Sequence, residues 1–337
     1  MTDTLDSLPP VAVCDPPIVL ADIVAAEKPV VVRGVIDHWP ALTEGRASPQ
    51  RMNAYLKAMD RGAMAPVMEA PAGSGGRYVY GADMREFTFS KRQRGLSETL
   101  DQIEGNLGMA DAPFLAIQML PLTQALPQFV SENPLTLFAQ GVIPRLWIGG
   151  PLKTQTHNDR DHNLACVVAG HRRFVLFPPD QVANLYVGPL DFTLAGQPVS
   201  LADPDKPDFA RFPQFRQAMA AALTAELEPG DAIHIPSPWW HHVAALSPFN
   251  ILVNYWWRDY PPECGTPFNV LIHGLLALRH LPAAERDAWR AMIDHYIFDD
   301  NGDPAAHLPE AARSVLGPMT PALAAHLRQW LAGQLKD

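Results

Sequence analysis

A histidine and an aspartate near the middle of the chain are the residues whose types and spacing best suit chemistry. They stand in His157-Asn158-Asp159, at the opening of the stretch 154–177. In a strand or extended turn, side chains at i and i+2 point the same way, so both can reach one ion. A nitrogen and a carboxylate oxygen suit a borderline metal such as Fe(II), Mn(II), Ni(II) or Zn(II). Taken alone, such a pair is more commonly a histidine in a solvated loop than a metal site.

A third metal ligand is expected far downstream, in the run WWHH that ends with His241 and His242. Adjacent strand residues face opposite sides, so only one of these two histidines can join the site. His234 is a competing candidate, because strand alternation does not decide which side it faces. Two histidines and one aspartate, with coordination positions left open, form the facial triad of non-haem iron oxygenases.

The elements that must position these residues are short strands. The segments 164–168 and 174–177 are apolar and flank Gly170, a pattern that predicts strand, turn and strand. Further strands are predicted at 232–236 and 250–257, on either side of the histidine pair. The 34 prolines of the chain also favour many turns and short strands over long helices. The metal-binding residues are therefore expected at the mouth of a sheet.

In order and type, these segments resemble the JmjC-type, cupin-like 2-oxoglutarate oxygenases, and most of all the factor-inhibiting asparaginyl hydroxylase group. The likeness extends over residues 18–260. The motifs that carry it are the H-x-D at 157–159, GHRRFVLFPP, PGDAIHIP, WWHH and VNYWW, together with KPVVVRGVIDHWPA and PDFARFPQF. The resemblance implies a mainly β fold, a double-stranded β-helix (cupin or jelly-roll) barrel with flanking N-terminal α/β elements and a C-terminal helical segment.

The resemblance also implies roles for individual residues. It assigns His157, Asp159 and His241 as the metal ligands. Arg172 occupies the position of a family lysine that anchors the distal carboxylate of 2-oxoglutarate, and an arginine can bind a carboxylate through two parallel hydrogen bonds. Ala116 stands where the family has a tyrosine that helps to hold the same carboxylate. The residues at the family's cosubstrate-pocket positions are Thr154, Asn163, Asn254 and Trp256.

By the same resemblance, the cofactor is Fe(II), 2-oxoglutarate is the cosubstrate and O2 the oxidant, and the reaction is hydroxylation of an unactivated C–H bond on a protein or peptide side chain. Gln118 is expected to contact substrate at the mouth of the site, with ordinary filling of the barrel as the competing interpretation. The departures at Arg172 and Ala116 keep open a cupin metalloenzyme that does not use 2-oxoglutarate. A hydroxylase of RNA or of a small molecule and a non-catalytic binding module are further alternatives. The intact set of three ligands argues against the last of these.

The charge and residue composition of the chain argue against several classes of protein. The chain has 337 residues and a net charge of −10, which argues against a surface given over to nucleic acid. Cys14, Cys166 and Cys264 are odd in number and lack C-x-x-C spacing, which predicts reduced thiols and a cytoplasmic location. There is no signal-peptide pattern and no run of about 18 apolar residues, so no membrane span is expected.

Three parts are expected along the chain: a loosely ordered N-terminus at 1–17, a catalytic domain at 18–260 and a helical region at 261–337. Within the catalytic domain, the segment 186–213 is long and rich in Pro and Asp. It is interpreted either as a lid over a substrate groove or as an inert insertion. The helical region carries apolar residues at helical spacing. Because relatives use C-terminal helices for dimerisation, the resemblance implies a homodimer.

Overall fold

The body of the protein consists of β-strands, which the computed structural model places in two sheets. The model describes residues 5–138 and 141–335. The strands in this part of the chain are β1 (Ala12–Cys14), β2 (Val30–Val32), β3 (Met64–Ala70), β4 (Ser90–Gly95), β5 (Phe114–Pro121), β6 (Arg145–Gly149), β7 (Lys153–Asn158), β8 (His162–Ala169), β9 (Arg172–Phe177), β10 (Leu223–Leu227), β11 (Ala232–Ile235), β12 (Trp240–Ala245) and β13 (Asn250–Trp257).

The two sheets face each other across an apolar interior. The large sheet has the order β1-β2-β11-β8-β13-β6-β5-β3-β4, and the small sheet has the order β10-β9-β12-β7. Phe174, Leu176 and Val243 of the small sheet pack against residues such as Val167 and Leu252 of the large one. From β7 to β13 the chain crosses repeatedly between the two sheets, and of these strands β9 and β10 are the consecutive pair that shares a sheet, as in a jelly roll. The expected mainly β, cupin-like fold is confirmed.

Strand β13 shows why these residues form buried strands. Its alternate residues Ile251, Val253 and Tyr255 point outward into the layer between the large sheet and the helices. Leu252 points inward, to the core between the sheets. Because successive side chains of a strand face opposite sides, a strand covered on both faces is apolar at nearly every position. Asn254 is a polar exception on the inward face and marks the functional end of the barrel.

Helices cover the outer face of the large sheet. Trp39, Met52, Leu56, Leu100 and Phe129 carry most of this packing. The outer face of the small sheet is covered by the chain between β9 and β10 instead. The α-helices of the described residues are α1 (Leu20–Ala25), α2 (Pro40–Ala47), α3 (Pro49–Met59), α4 (Leu96–Gly105), α5 (Leu122–Ala125), α6 (Pro127–Glu132), α7 (Phe215–Ala221), α8 (Pro267–Ala277), α9 (Ala283–Tyr296) and α10 (Pro321–Gln334).

Residues 10–14 of the N-terminal segment contact strands of both sheets. Strand β1 pairs in parallel with β2, and the Val11 N–H donates to the Thr224 carbonyl at 2.9 Å. The physical reason is Val11, which is buried in the core between the sheets. Residues 1–4 lie outside the described part of the chain.

The C-terminal region forms its own compact unit. The break between the two compact units follows Trp257. Helices α8 and α9 bury none of their side chains, and in α10 Ala324 is the buried residue. In the part of the chain that the structure describes, no helix combines the length and the apolar character that crossing a membrane requires.

Candidate active site

The pairing of β12 with β7 brings the three candidate metal ligands together. His241 and His157 are directly opposite each other in this antiparallel pair, and Asp159 follows the end of β7. The Nε2 atom of His157 lies 4.0 Å from Asp159 Oδ1, and the Nε2 atom of His241 lies 3.7 Å from Asp159 Oδ2. One donor atom from each residue lies within 4.8 Å of the other two. The structure thus places all three on one side of the small sheet.

Backbone carbonyls orient both imidazole rings. The Nδ1 atom of His157 lies 2.8 Å from the Gln155 carbonyl, and Nδ1 of His241 lies 3.3 Å from the Trp239 carbonyl. Each Nδ1–H therefore donates to the main chain and leaves Nε2 as the free lone pair, the arrangement typical of metal-binding histidines. Burial and the neighbouring His157 lower the pKa of His241 to about 4, so its ring is neutral at physiological pH.

The Asp159 carboxylate is held by two side chains from the large sheet. Asn163 Nδ2 donates to Asp159 Oδ2 at 3.0 Å, and Trp256 Nε1 donates to the same oxygen at 2.9 Å. Asn254 Nδ2 in turn donates to Asn163 Oδ1 at 2.6 Å. Three residues predicted to line the cosubstrate pocket therefore form a chain of hydrogen bonds behind the carboxylate. Such partners fix the direction in which a ligand presents its lone pairs.

The donor set fits a divalent transition metal. Two neutral imidazoles and one carboxylate match the facial arrangement of non-haem iron, and metal–ligand bonds of about 2.0–2.2 Å place adjacent donors about 3–3.5 Å apart. The 3.7 and 4.0 Å spacings are close to this range. Small side-chain rotations would suffice for all three residues to bind one ion.

The other two histidines considered as ligands lie elsewhere. His242 faces the opposite side of the small sheet, where its Nε2 atom lies 3.5 Å from Asp205 Oδ2. His234 is buried on the outer face of the large sheet, and its ring centroid lies 5.6 Å from those of both His162 and Trp257. Neither ring nitrogen of His234 has a hydrogen-bond partner in the described residues. Burial and the neighbouring His162 lower the pKa of His234 to about 3.

The three candidate ligands border a cavity of about 380 Å³ between the sheets. Among the residues that line it are Thr154, Arg172, Asn163, Asn254, Trp256 and Gln118, all of them predicted from the sequence. Trp147 and Leu252 add an apolar wall opposite the small sheet. The predicted site residues thus line one cavity. Which molecule or ion each of them binds remains a proposal.

Among the described residues, Arg172 has no counter-ion in this cavity. Its Nε atom is buried with no hydrogen-bond partner in the described residues, and no carboxylate there forms an ion pair with it. Burial lowers the pKa of Arg172 to about 10, so the guanidinium stays charged at neutral pH. Arg173 faces the other way and binds Asp205 at 2.8 Å. A buried cation without a partner is costly, which makes the cavity suited to an anion.

Two residues of the cavity wall escaped the sequence analysis. Tyr78 packs with Met68 against Ala116, so a phenol ring from a distant segment fills the space beside the small residue. Met119 follows Gln118 in a bulge of β5, where the register with β6 shifts between Ile117 and Leu120. Its φ of 55° lies in the left-handed region, which is strained for a side chain of this size. No local pattern indicates that Tyr78 belongs to the wall, because its packing partner Ala116 lies far away in sequence.

Residues 186–213, which we call the wall segment, wrap around the free edge of β7. Val199 forms a β-bridge with His157, and the Ser200 N–H donates to the Thr156 carbonyl at 2.7 Å. Leu194, Ala195 and Gln197 line the cavity. Just before these residues in the segment, Phe192 stacks on Phe87 with ring centroids 4.5 Å apart. The segment is therefore part of the cavity wall and not an inert insertion.

Comparison with known proteins agrees with this geometry. Residues 16–262 match the profile of a family described as Cupin-like domain. The human bifunctional peptidase and (3S)-lysyl hydroxylase JMJD7 is 29% identical over 262 residues, which cover 70% of this chain and 79% of the human protein. The chicken tRNA wybutosine-synthesizing protein 5 is 35% identical over 171 residues, covering 45% of this chain and 51% of that protein. The Xenopus tropicalis lysine-specific demethylase 8 is 27% identical over 244 residues, which cover 68% of this chain and 48% of that protein.

The buried His234 makes a testable prediction about pH and stability. Its folded pKa of about 3 lies below the unfolded value of 6.5, so its contribution to stability is complete above pH 6.5 and is lost as pH falls toward 3. Between pH 6.5 and 4.5, this residue should lower the unfolding free energy of the parent protein by up to about 1.4 kcal/mol for each pH unit. The His234→Leu variant should not show this part of the loss. Urea denaturation of the metal-free protein at several pH values measures this. Equal slopes in the parent and the variant would contradict the assignment.

Proposed function

Because the chain belongs to the cupin-like domain family, we propose that it is an Fe(II)- and 2-oxoglutarate-dependent oxygenase that hydroxylates an unactivated C–H bond. The observation that carries this proposal is the convergence of His157, Asp159 and His241 on one cavity. The same cavity holds Arg172, which forms no ion pair with any residue that the structure describes. When bound, Fe(II) with 2-oxoglutarate and O2 supplies the oxidising power, by coupling decarboxylation of the cosubstrate to transfer of oxygen.

The residues of the chain hold and orient the reactants. His157, Asp159 and His241 would bind the metal from one side and leave its cavity-facing side open. Arg172 would bind the distal carboxylate of 2-oxoglutarate through two parallel N–H donors, and Thr154 would contribute from the same side of the cavity. Trp147 and other apolar residues would exclude water from the reacting atoms.

We propose a protein or peptide side chain as the substrate, with Gln118 as a contact at the cavity mouth. Support comes from two relatives, one named as a lysyl hydroxylase and one as a lysine-specific demethylase. The name of a third relative describes tRNA modification. The net charge of −10 weighs against an extended RNA-binding surface on this chain.

The metal assignment predicts that His157→Ala and Asp159→Ala abolish succinate formation from 2-oxoglutarate. Each variant should also lower Fe(II) affinity by more than about 100-fold, because loss of a ligand costs more than the 10–100-fold that follows loss of a supporting residue. The measurements are metal analysis and a succinate-release assay with candidate peptides. His234→Leu is the matched control and should retain its metal. Metal retained in full by both alanine variants would refute the assignment.

The second prediction concerns Arg172. Arg172→Ala should weaken 2-oxoglutarate binding by about 1.5–3 kcal/mol, the contribution of a hydrogen-bonded charge, and leave the metal in place. Arg172→Lys should recover part of the affinity, since an ammonium reaches the carboxylate without the two-point geometry. Anaerobic titration of the metal-to-ligand absorption band gives the affinity. Arg145→Ala is the comparison variant, because Arg145 also lines the cavity. A loss in Arg145→Ala with none in Arg172→Ala would show that the wrong arginine was chosen.

A homodimer formed by the C-terminal unit is the third prediction. Leu276, Phe298 and Trp330 are 71, 65 and 59% exposed, a degree of apolar exposure that favours a protein partner. Light scattering should give twice the chain mass of 37.0 kDa. Leu276→Glu combined with Phe298→Glu should yield the monomer. Met109→Gln, at an equally exposed methionine before Trp257, should leave the mass unchanged. A parent protein of single-chain mass would rule out the dimer.

A further inference from the structure

A cluster of charged side chains lies on the opposite face of the small sheet from the metal site, and Asp205 of the wall segment is its centre. The Asp205 carboxylate binds Arg173 of β9 at 2.8 Å and Lys153 of β7 at 2.6 Å, and His242 of β12 lies 3.5 Å away. The Asp205 side chain is 6% exposed. One buried carboxylate thus contacts three adjacent strands.

The register of the strands explains how one carboxylate reaches all three. Ala244 of β12 is paired with Arg173 on one side and with Lys153 on the other. The carboxylate that binds both cations therefore lies across Ala244, whose methyl group is too short to keep it away. A larger residue at this central position would separate Asp205 from the sheet.

Each residue that Asp205 contacts is the chain neighbour of a proposed site residue. Arg173 follows Arg172, Lys153 precedes Thr154, and His242 follows His241. Adjacent residues of a strand face opposite sides of the sheet. Asp205 therefore contacts the outer face of the small sheet at positions next to the site residues on its inner face.

The cluster is an ionic contact and not a second metal site. Donor atoms of Asp203, Asp205 and His242 do lie within 4.8 Å of one another. However, Arg77 binds Asp203 at 2.7 Å, and Lys153 and Arg173 neutralise Asp205. Burial alone would raise the pKa of Asp205, and His242 and Lys153 more than offset this, so its pKa lies well below the ordinary value. Asp205 is therefore an anion that the surrounding cations hold in place.

We infer that Asp205 is a positioning residue of the active site. It ties the outer faces of β7, β9 and β12 together at Lys153, Arg173 and His242, and so restrains Thr154, Arg172 and His241 on the inner face. Because Asp205 belongs to the wall segment, the same contacts attach the cavity wall to the strands that carry the site. The part of this inference that concerns 2-oxoglutarate rests on the proposed function, and the part that concerns the metal ligands does not.

The test uses Asp205→Asn in the full chain, with Co(II) alone as the probe of the metal site. Asparagine keeps the shape of the side chain and removes the charge, so Lys153 and Arg173 lose their common anion. Co(II) affinity should fall about tenfold, as for other residues that support metal ligands, and the ligand-field absorption band should shift. Asp203→Asn is the matched control, because Asp203 lies in the same segment and its ion pair is with Arg77. It should retain the affinity and the band of the parent protein.

A second variant reaches the same contact without changing any charge. Ala244→Val should push the carboxylate off the sheet and reproduce the weaker Co(II) binding, so the inference stays testable if Asp205→Asn does not fold. Parent-like Co(II) affinity and absorption in a folded variant with a lower melting temperature would overturn it, because Asp205 would then only stabilise the fold. Anaerobic 2-oxoglutarate titration forms the second arm, where weaker binding is expected. If the parent protein fails to bind 2-oxoglutarate, the proposed function fails while the Co(II) result still decides the role of Asp205.

Discussion

The pairing of β12 between β7 and β9 is the interaction on which the rest of the site depends. Neighbouring strands lie about 4.8 Å apart, so the direct pairing of His241 with His157 brings two imidazoles together before any side-chain contact is considered. Burial on both faces fixes this pairing: Val243 packs inside the barrel, and Trp240 packs under the chain that covers the small sheet. A shift of one residue would move His241 to the outer face and bury a different set of side chains.

Local patterns in the sequence were sufficient for several of the strands around the site, and the resemblance supplied the residues of the cavity. The apolar run of β13 predicted its bounds at 250–257 as the structure has them, because a strand buried on both faces leaves a continuous apolar signal. The assignment of Arg172 to the cavity came from the resemblance, because alternation alone leaves open whether Arg172 or Arg173 faces inward. The choice of His241 over His242 and His234 did not follow from the pattern. It required the resemblance, since alternation says that two neighbours differ and not which one faces inward.

The contacts that the sequence could not predict join segments far apart in the chain. Asp205 belonged to a Pro- and Asp-rich stretch with no periodicity, and nothing local indicates that it reaches three strands. Tyr78 fills the space beside Ala116 for the same reason, through packing that only the folded chain brings about. The left-handed backbone of Met119 depends on a bulge in the pairing of β5 with β6, which is a property of two strands and not of either alone.

The arginine in the cavity has a consequence for the conditions under which the site can attract an anion. Burial lowers the pKa of Arg172 to about 10, still well above the pH of any cell. A lysine begins from a lower ordinary value, and equal burial would bring its pKa much closer to neutrality. It would therefore lose part of its charge in mildly alkaline surroundings. The guanidinium gives the cavity a positive charge at any ordinary acidity, so the binding proposed here for an acidic small molecule would not depend on the charge state of this residue.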